Sequence, residues 1–200
     1  SMPLLPDPIH TEAIQQACLS IYESGTHPNL LDITNQLLNL PELPMHCPAH
    51  HFLTCAALLT AAHLRADSSC QRLLADLKTA RERTSILPGG TCGQYGCCGA
   101  AMGAGVFFSI WCKTSPMSKN GWAAANQMTS RCLASVAQVE GPRCCKRVTY
   151  LTISAAAQAA RELMDLDLGP LPPIHCHHSQ QNRECRLQAC PFYSPESPNL

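Results

Sequence analysis

Apolar positions recur along this chain at helical rather than strand spacing. Ile9, Ala13, Ala17 and Ile21 fall four apart within residues 9–24, which predicts an amphipathic helix with one face turned to a core. Residues 28–39 predict a shorter helix on Leu30, Leu31, Leu37 and Leu38, closed off by Pro41 and Pro44. The clearest helix covers 48–66, where Pro48 suits a first helical position because its missing N–H would have no partner there. A charged, more exposed helix is expected at 69–84, a buried Gly-rich one at 98–112, and further charge-poor helices at 119–138 and 147–166. No segment alternates as a strand does, and there is no internal repeat. The expected fold is all-α: a bundle of six to seven helices with a Cys/His-rich, irregular C-terminal tail. The chain is expected to be a single domain over 1–200, with N-terminal helices at 1–45, a helical core carrying Cys motifs at 46–168 and a metal-binding tail at 169–200.

Composition narrows the function classes. The chain is 46% hydrophobic, which excludes a disordered segment. It carries 14 basic and 14 acidic residues, so it lacks the basic surplus of a general nucleic-acid binder, and no nucleic-acid partner is expected. No charge occurs between Thr84 and Cys112. The continuous part of that stretch, Cys98–Cys112, is shorter than the ~20 apolar residues a membrane span needs, so a buried central helix is expected and no membrane partner. Within it, Gly99 and Gly103, and Ala101 and Gly105, are small residues four apart that let a second backbone approach closely.

The unusual count is 14 Cys beside 9 His. Two pairs are vicinal, Cys97-Cys98 and Cys144-Cys145, an arrangement poorly suited to an ordinary disulfide framework. Ser1 to Pro8 has neither the basic start nor the apolar core of a secretion signal, although Ser1 before Met2 resembles a cleavage scar left by an upstream segment. The expectation is a cytoplasmic, thiol-rich, metal-binding chain, most easily kept reduced under anaerobic conditions.

Four clusters could carry chemistry. In His46-Cys47-Pro48-Ala49-His50-His51 and the following Cys55, Cys47 with His50, or His51 with Cys55, would share a helix face and offer two ligands to one metal. In Gly90-Thr91-Cys92-Gly93-Gln94-Tyr95-Gly96-Cys97-Cys98-Gly99, thiols spaced by glycines suit a loop wrapped round an iron–sulfur cluster. A phosphate cradle is the weaker reading, because no Gly-Lys-Ser/Thr follows and no strand precedes. In Arg143-Cys144-Cys145-Lys146-Arg147, three cations flank two thiols and would favour thiolates, hold an anionic substrate or balance a cluster. Cations at a helix start oppose the macrodipole, so something negative is expected nearby. In the tail, Cys176, Cys185 and Cys190, with His175, His177 and His178, lack the apolar content to fold alone, and a metal would close them with a fourth ligand from a nearby His or from a core cysteine such as Cys144 or Cys145. Cys18, Cys70, Cys112 and Cys132 stand singly on helices and are expected in the core. His10, His27 and His63 are expected to pack or pair locally. There is no Gly-x-Ser-x-Gly, and acidic residues are too scattered for a carboxylate-pair hydrolase.

The run Pro-Gly-Gly-Thr-Cys-Gly-Gln-Tyr-Gly-Cys-Cys-Gly-Ala-Ala, then Gly-Pro-Arg-Cys-Cys-Lys-Arg, then the Cys…Asn…Glu-Cys…Cys-Pro-Phe tail, together resemble family 5714 of the domains of unknown function, from Cys47 to Phe192. A weaker likeness is to a redox-active family named for a Cys-Gly-Ala…Gly…Cys-Cys pattern. The resemblance implies an origin in anaerobic bacteria or archaea and, in some members, fusion to a methyltransferase-like domain. It also implies Cys47, His50, His51, Cys92, Cys98, Cys144, Cys145, Cys176, Cys185 and Cys190 as pattern positions, with Cys97 an addition in this chain. It implies no activity, and these residues contain no methyltransferase motif.

Three functions are therefore carried forward. The first is an iron–sulfur protein of anaerobic metabolism, [4Fe–4S] favoured, with Cys92, Cys98 and Cys144 or Cys145 as cluster ligands and Cys47 or His50 completing the set. A cluster bound by only three thiols would leave one iron open for lyase chemistry or sulfur transfer on a small anionic or sulfur-containing substrate, with Arg143, His50, Cys144 and Cys145 as the reacting or charge-bearing groups. The second is a zinc-stabilised accessory domain for a methyltransferase partner. The third is a thiol–disulfide redox protein using the vicinal cysteines.

Overall fold

A computed structural model describes residues 4–195, so the extreme ends of the 1–45 and 169–200 segments fall outside the described residues. Eight α-helices follow one another: α1 (Pro8–Glu23), α2 (Leu30–Leu38), α3 (Ala49–Arg65), α4 (Cys70–Thr84), α5 (Thr91–Gln94), α6 (Gly99–Cys112), α7 (Trp122–Val136) and α8 (Cys145–Met164). The all-α bundle is as expected from periodicity, and no strand occurs among the described residues. Their one β-bridge pairs Cys176 with Tyr193.

The starts of α1, α2 and α4 are set by side chains that accept otherwise orphaned N–H groups: Asp7 from Ile9, Asn29 from Asp32 and Ser69 from Arg72. Most helix ends fall within two residues of the sequence reading, and three differences from it have a clear local cause. A single turn, α5, forms inside the Gly-rich loop, because Gly90 takes a left-handed φ of 89° that aims the chain into it. Gly121, at φ 84°, delays α7 to Trp122. α8 begins two residues before the expected 147, because the Cys144 sulfur accepts from the Arg147 N–H and caps it.

α3 is the axis of the bundle. Its side chains are buried without interruption from Ala49 to His63, and it packs on α1, α2, α4, α6 and α8. The α3–α6 contact is close because glycine faces α3 twice: a Cβ on Gly99 would lie 2.3 Å from His51 Nε2, and one on Gly103 2.4 Å from the His51 carbonyl oxygen. Of the four solitary cysteines, Cys18 and Cys132 are in the core as expected. Cys112 is exposed and Cys70 only partly covered, since Cys112 closes α6 and Cys70 opens α4 at the surface.

The tail turns back over the start of α8. Among the described residues beyond Asp165 the only helical turns are two of 3₁₀ type, Ser179–Gln181 and Leu187–Ala189. It is fixed by the Cys176 N–H on the Phe192 carbonyl (2.7 Å), by Arg186 on the Gly141 carbonyl (3.0 Å), and by Phe192 edge-on to Tyr150 with centroids 5.4 Å apart.

Candidate functional site

A cavity of about 870 Å³ opens where the chain enters α3, α6 and α8, and the thiols of Cys47, Cys92, Cys98 and Cys145 line it together. Cys47, Cys98 and Cys145 sit at or beside the starts of α3, α6 and α8, and backbone N–H groups face their sulfurs. Burial pushes the Cys98 thiol up, and the Ala100 and Ala101 N–H groups pull against it. Burial likewise raises Cys47, opposed by the Ala49 N–H, Lys146 and the His50 N–H. Cys145 is pushed up to about 12 by burial, against the Cys47 backbone N–H. Cys97 does not line the cavity.

Arg143, His50 and His51 also line it. The Arg143 guanidinium is 3.1 Å from Glu184. The buried His50 ring is 2.9 Å from the Cys47 carbonyl and 3.4 Å from the Cys47 sulfur through Nδ1, and its Nε2 is 3.1 Å from Lys146 Nζ. Burial, and then the Lys146 charge, hold His50 well below the usual histidine range, so the ring is neutral. His51 is held down to about 4 by burial; the Leu87 backbone opposes this without making a hydrogen bond of ordinary geometry, and Nδ1 is buried without a partner among the described residues. Cys55, proposed to pair with His51, is fully buried and does not line the cavity, because α3 carries that face into the core.

Two cations stand out. Lys146 is 2% exposed and Arg147 5% exposed. Lys146 Nζ meets the Pro44 carbonyl at 3.3 Å and His50; Arg147 Nη2 meets the Glu140 and Pro142 carbonyls at 3.3 and 3.0 Å, and its Nε is unpartnered. Neither has a carboxylate partner among the described residues. Burial lowers Lys146 to about 8, and the sulfurs of Cys47, Cys145, Cys144 and Cys176 are what favour its charge.

The vicinal pair is divided. Cys145 faces the cavity, whereas Cys144 faces the tail, where Asn182 Nδ2 donates to its sulfur (3.6 Å). Cys176 is pushed up by burial and, after the His178 N–H that opposes it, by Cys144, Cys190 and Cys185. His46 joins the two places. Its Nδ1 accepts from the Cys145 N–H (3.3 Å), so its Nε2 carries the proton and donates to Asn182 Oδ1 (3.1 Å). Among the described residues, no three His, Cys, Asp or Glu side chains already stand as a single-ion shell. The sulfurs face shared space instead of touching a common point.

The sequence reading missed the roles of His46 and Asn182 and the burial of Lys146. A signal for Lys146 exists: it begins the buried stripe Lys146, Thr149, Tyr150, Ile153, Ala157, Ala160 at three- and four-residue spacing.

The fold and its thiols define an all-helical, cysteine-rich protein with a thiol-lined cavity and a cysteine-gathered tail. Residues 14–193 match the model of the family of unknown function DUF5714, and the chain belongs to that family. No curated protein and no solved structure matches it. No helix among the described residues is long and apolar enough to cross a membrane.

Proposed function

We propose that the cavity is an iron–sulfur site, with Cys92, Cys98 and Cys145 as ligands and Cys47, held by His50, as the exchangeable fourth. The observation that carries this is the convergence of four thiols from three separate chain segments on one cavity. The donor set fits: soft sulfurs at helix starts suit iron, and bound thiolates supply the negative charge that buried Lys146 and Arg147 lack. A cluster would supply electron transfer or a Lewis-acidic iron. The chain's own residues do the rest. Arg143 and the neighbouring helix N-termini attract a small anionic or sulfur-containing molecule, and a volume of about 870 Å³ is in the range of small-molecule pockets. Neutral His50 relays between the Cys47 sulfur and Lys146. The expected setting is the anaerobic cytoplasm, where such thiols stay reduced.

The test is anaerobic purification followed by iron, zinc and acid-labile sulfide assays, with Cys98→Ser alongside. Iron and sulfide in comparable amounts, with visible absorption bleached by dithionite and lost in Cys98→Ser, support the proposal. Folded protein without iron and sulfide overturns it. In that case, zinc without visible absorption points to the accessory domain of a methyltransferase, and metal-free protein with two fast, low-pKa thiols points to thiol redox chemistry.

A further inference from the structure

We infer that Cys144, Cys176, Cys185 and Cys190 form a second thiophilic metal centre, one that clasps the tail to the start of α8. It shares no ligand with the cavity and stands whether or not the cavity holds a cluster.

The tail has little else to fold it. Between 165 and 195 it has no strand, two 3₁₀ turns and few buried side chains, yet it brings Cys185 onto Asn182, whose amide reaches Cys144, and Cys190 onto Tyr193, which bridges Cys176. Ordering such a segment costs roughly 1–2 kcal/mol of backbone entropy per residue, and its apolar contacts to the core come from only a few side chains, such as Leu168, Leu171, Ile174 and Phe192. The sulfurs are placed as acceptors. The His178 N–H reaches Cys176 at 3.4 Å, the Leu187 N–H reaches Cys185 at 3.4 Å, and the Arg147 N–H and Asn182 Nδ2 reach Cys144 at 3.5 and 3.6 Å. A neutral thiol is a weak acceptor; a metal-bound thiolate keeps the charge that makes these contacts favourable. Leu187, a non-glycine residue, takes a left-handed φ of 49° in the turn that aims its N–H at Cys185.

A second observation is independent of the tail's own geometry. Lys146, two residues along from Cys144, is buried without a carboxylate partner among the described residues. Asn182, also buried, spends its amide N–H on Cys144 while its oxygen accepts a hydrogen bond from His46 Nε2. Four thiols with no position left for a substrate make a closed centre, which is the pattern of structural rather than catalytic sites. The shared chemistry is four thiolates around a thiophilic metal, either one zinc or an iron–sulfur cluster. Binding displaces the thiol protons, since the thiolate is the form that ligates a metal.

The test compares full-length wild type, Cys185→Ser and Cys98→Ser, all purified anaerobically, for zinc, iron and sulfide per chain and for limited proteolysis within 169–195. Cys185→Ser is expected to lose one centre, read as one zinc or as one cluster's iron and sulfide, and its tail is expected to be cut about tenfold faster or more. Cys98→Ser is expected to keep that metal and its tail protection, so the failure of the cavity proposal is read separately. A second measurement avoids any folding defect in Cys185→Ser. Cys98→Ser protein is stripped and given Co²⁺ alone. Thiolate-to-cobalt charge-transfer absorption with restored tail protection supports the centre. Cobalt uptake that leaves the tail as labile as in stripped protein overturns it, as does an unchanged metal content in Cys185→Ser or a tail held by a disulfide.

Discussion

Cys144 and Cys145 are consecutive, yet their sulfurs serve opposite sides of one helix start: Cys144 caps α8 towards Asn182 and the tail, and Cys145 lines the cavity. Serine substitutions should separate them. Ser is a better N-cap than Cys, so Cys144→Ser is expected to keep or slightly raise helix content while losing the tail metal. Cys145→Ser is expected to lose cavity iron and keep the tail metal. Circular dichroism with metal analysis on both variants checks this; loss of the same metal from both would show that the two thiols share one site.

Lys146 should change sign with loading. Its depression from 10.5 to about 8 corresponds to about 3 kcal/mol against the charged native state, partly offset by its contacts to His50 and Pro44. In metal-stripped protein at pH 7, Lys146→Met is therefore expected to be more stable than wild type by about 1–2 kcal/mol. The gap narrows as pH rises from 8 towards 10.5, because the native lysine loses its proton first. In loaded protein the variant is expected to be less stable and to hold metal more weakly. Urea unfolding of stripped and reconstituted samples reads both signs.

The helices and the cysteine clusters were legible in the sequence because each rests on local spacing: four-residue apolar repeats such as Ile9 to Ile21, and thiols grouped within a few residues. The partition of those thiols was not. It depends on where α8 begins, and that start is set by a cysteine acting as cap, which no capping preference signals. A start at 147 left Lys146 in a loop; a start at Cys145 puts it on the buried stripe with Tyr150. Asn182 was invisible for another reason. Its partners, His46 and Cys144, lie 136 and 38 residues away. Cys112 and Cys70 were misplaced because the preference of free cysteine for the core was applied to positions at the very ends of their expected helices, where the chain is at the surface.

High pH should weaken the bundle through its core thiols. Burial raises Cys18 and Cys132 from 9.0 to about 12, and Cys55 further still. Folding holds these groups neutral, so their contribution is fully present below pH 9 and is lost as pH rises towards 12. Each should remove about 1.4 kcal/mol per pH unit in that window. The urea midpoint of stripped Lys146→Met, which lacks the opposing lysine effect, is expected to fall between pH 8 and 10. Adding Cys18→Ala and Cys132→Ala should flatten that fall; an equally steep loss would assign it to other groups.

Gly99 and His51 make the tightest prediction. A methyl group on Gly99 would lie 2.3 Å from His51 Nε2, and α6 cannot slide away freely, because Gly103 already brings it against the His51 carbonyl. Gly99→Ala is therefore expected to push the His51 ring out of place and destabilise the protein by about 1–3 kcal/mol, as overpacking does. The helix propensity of alanine works in the opposite direction, so a loss of stability would be steric in origin. Removing the ring tests the cause. In the Gly99→Ala/His51→Ala double variant the methyl group has space, and the two effects are expected to be less than additive by at least roughly 1 kcal/mol. Urea unfolding of the four proteins of this cycle, all metal-stripped, gives the coupling directly. Additive losses would mean that Gly99 is required for the path of the chain from Cys98 into α6, and that the His51 ring is not what demands it.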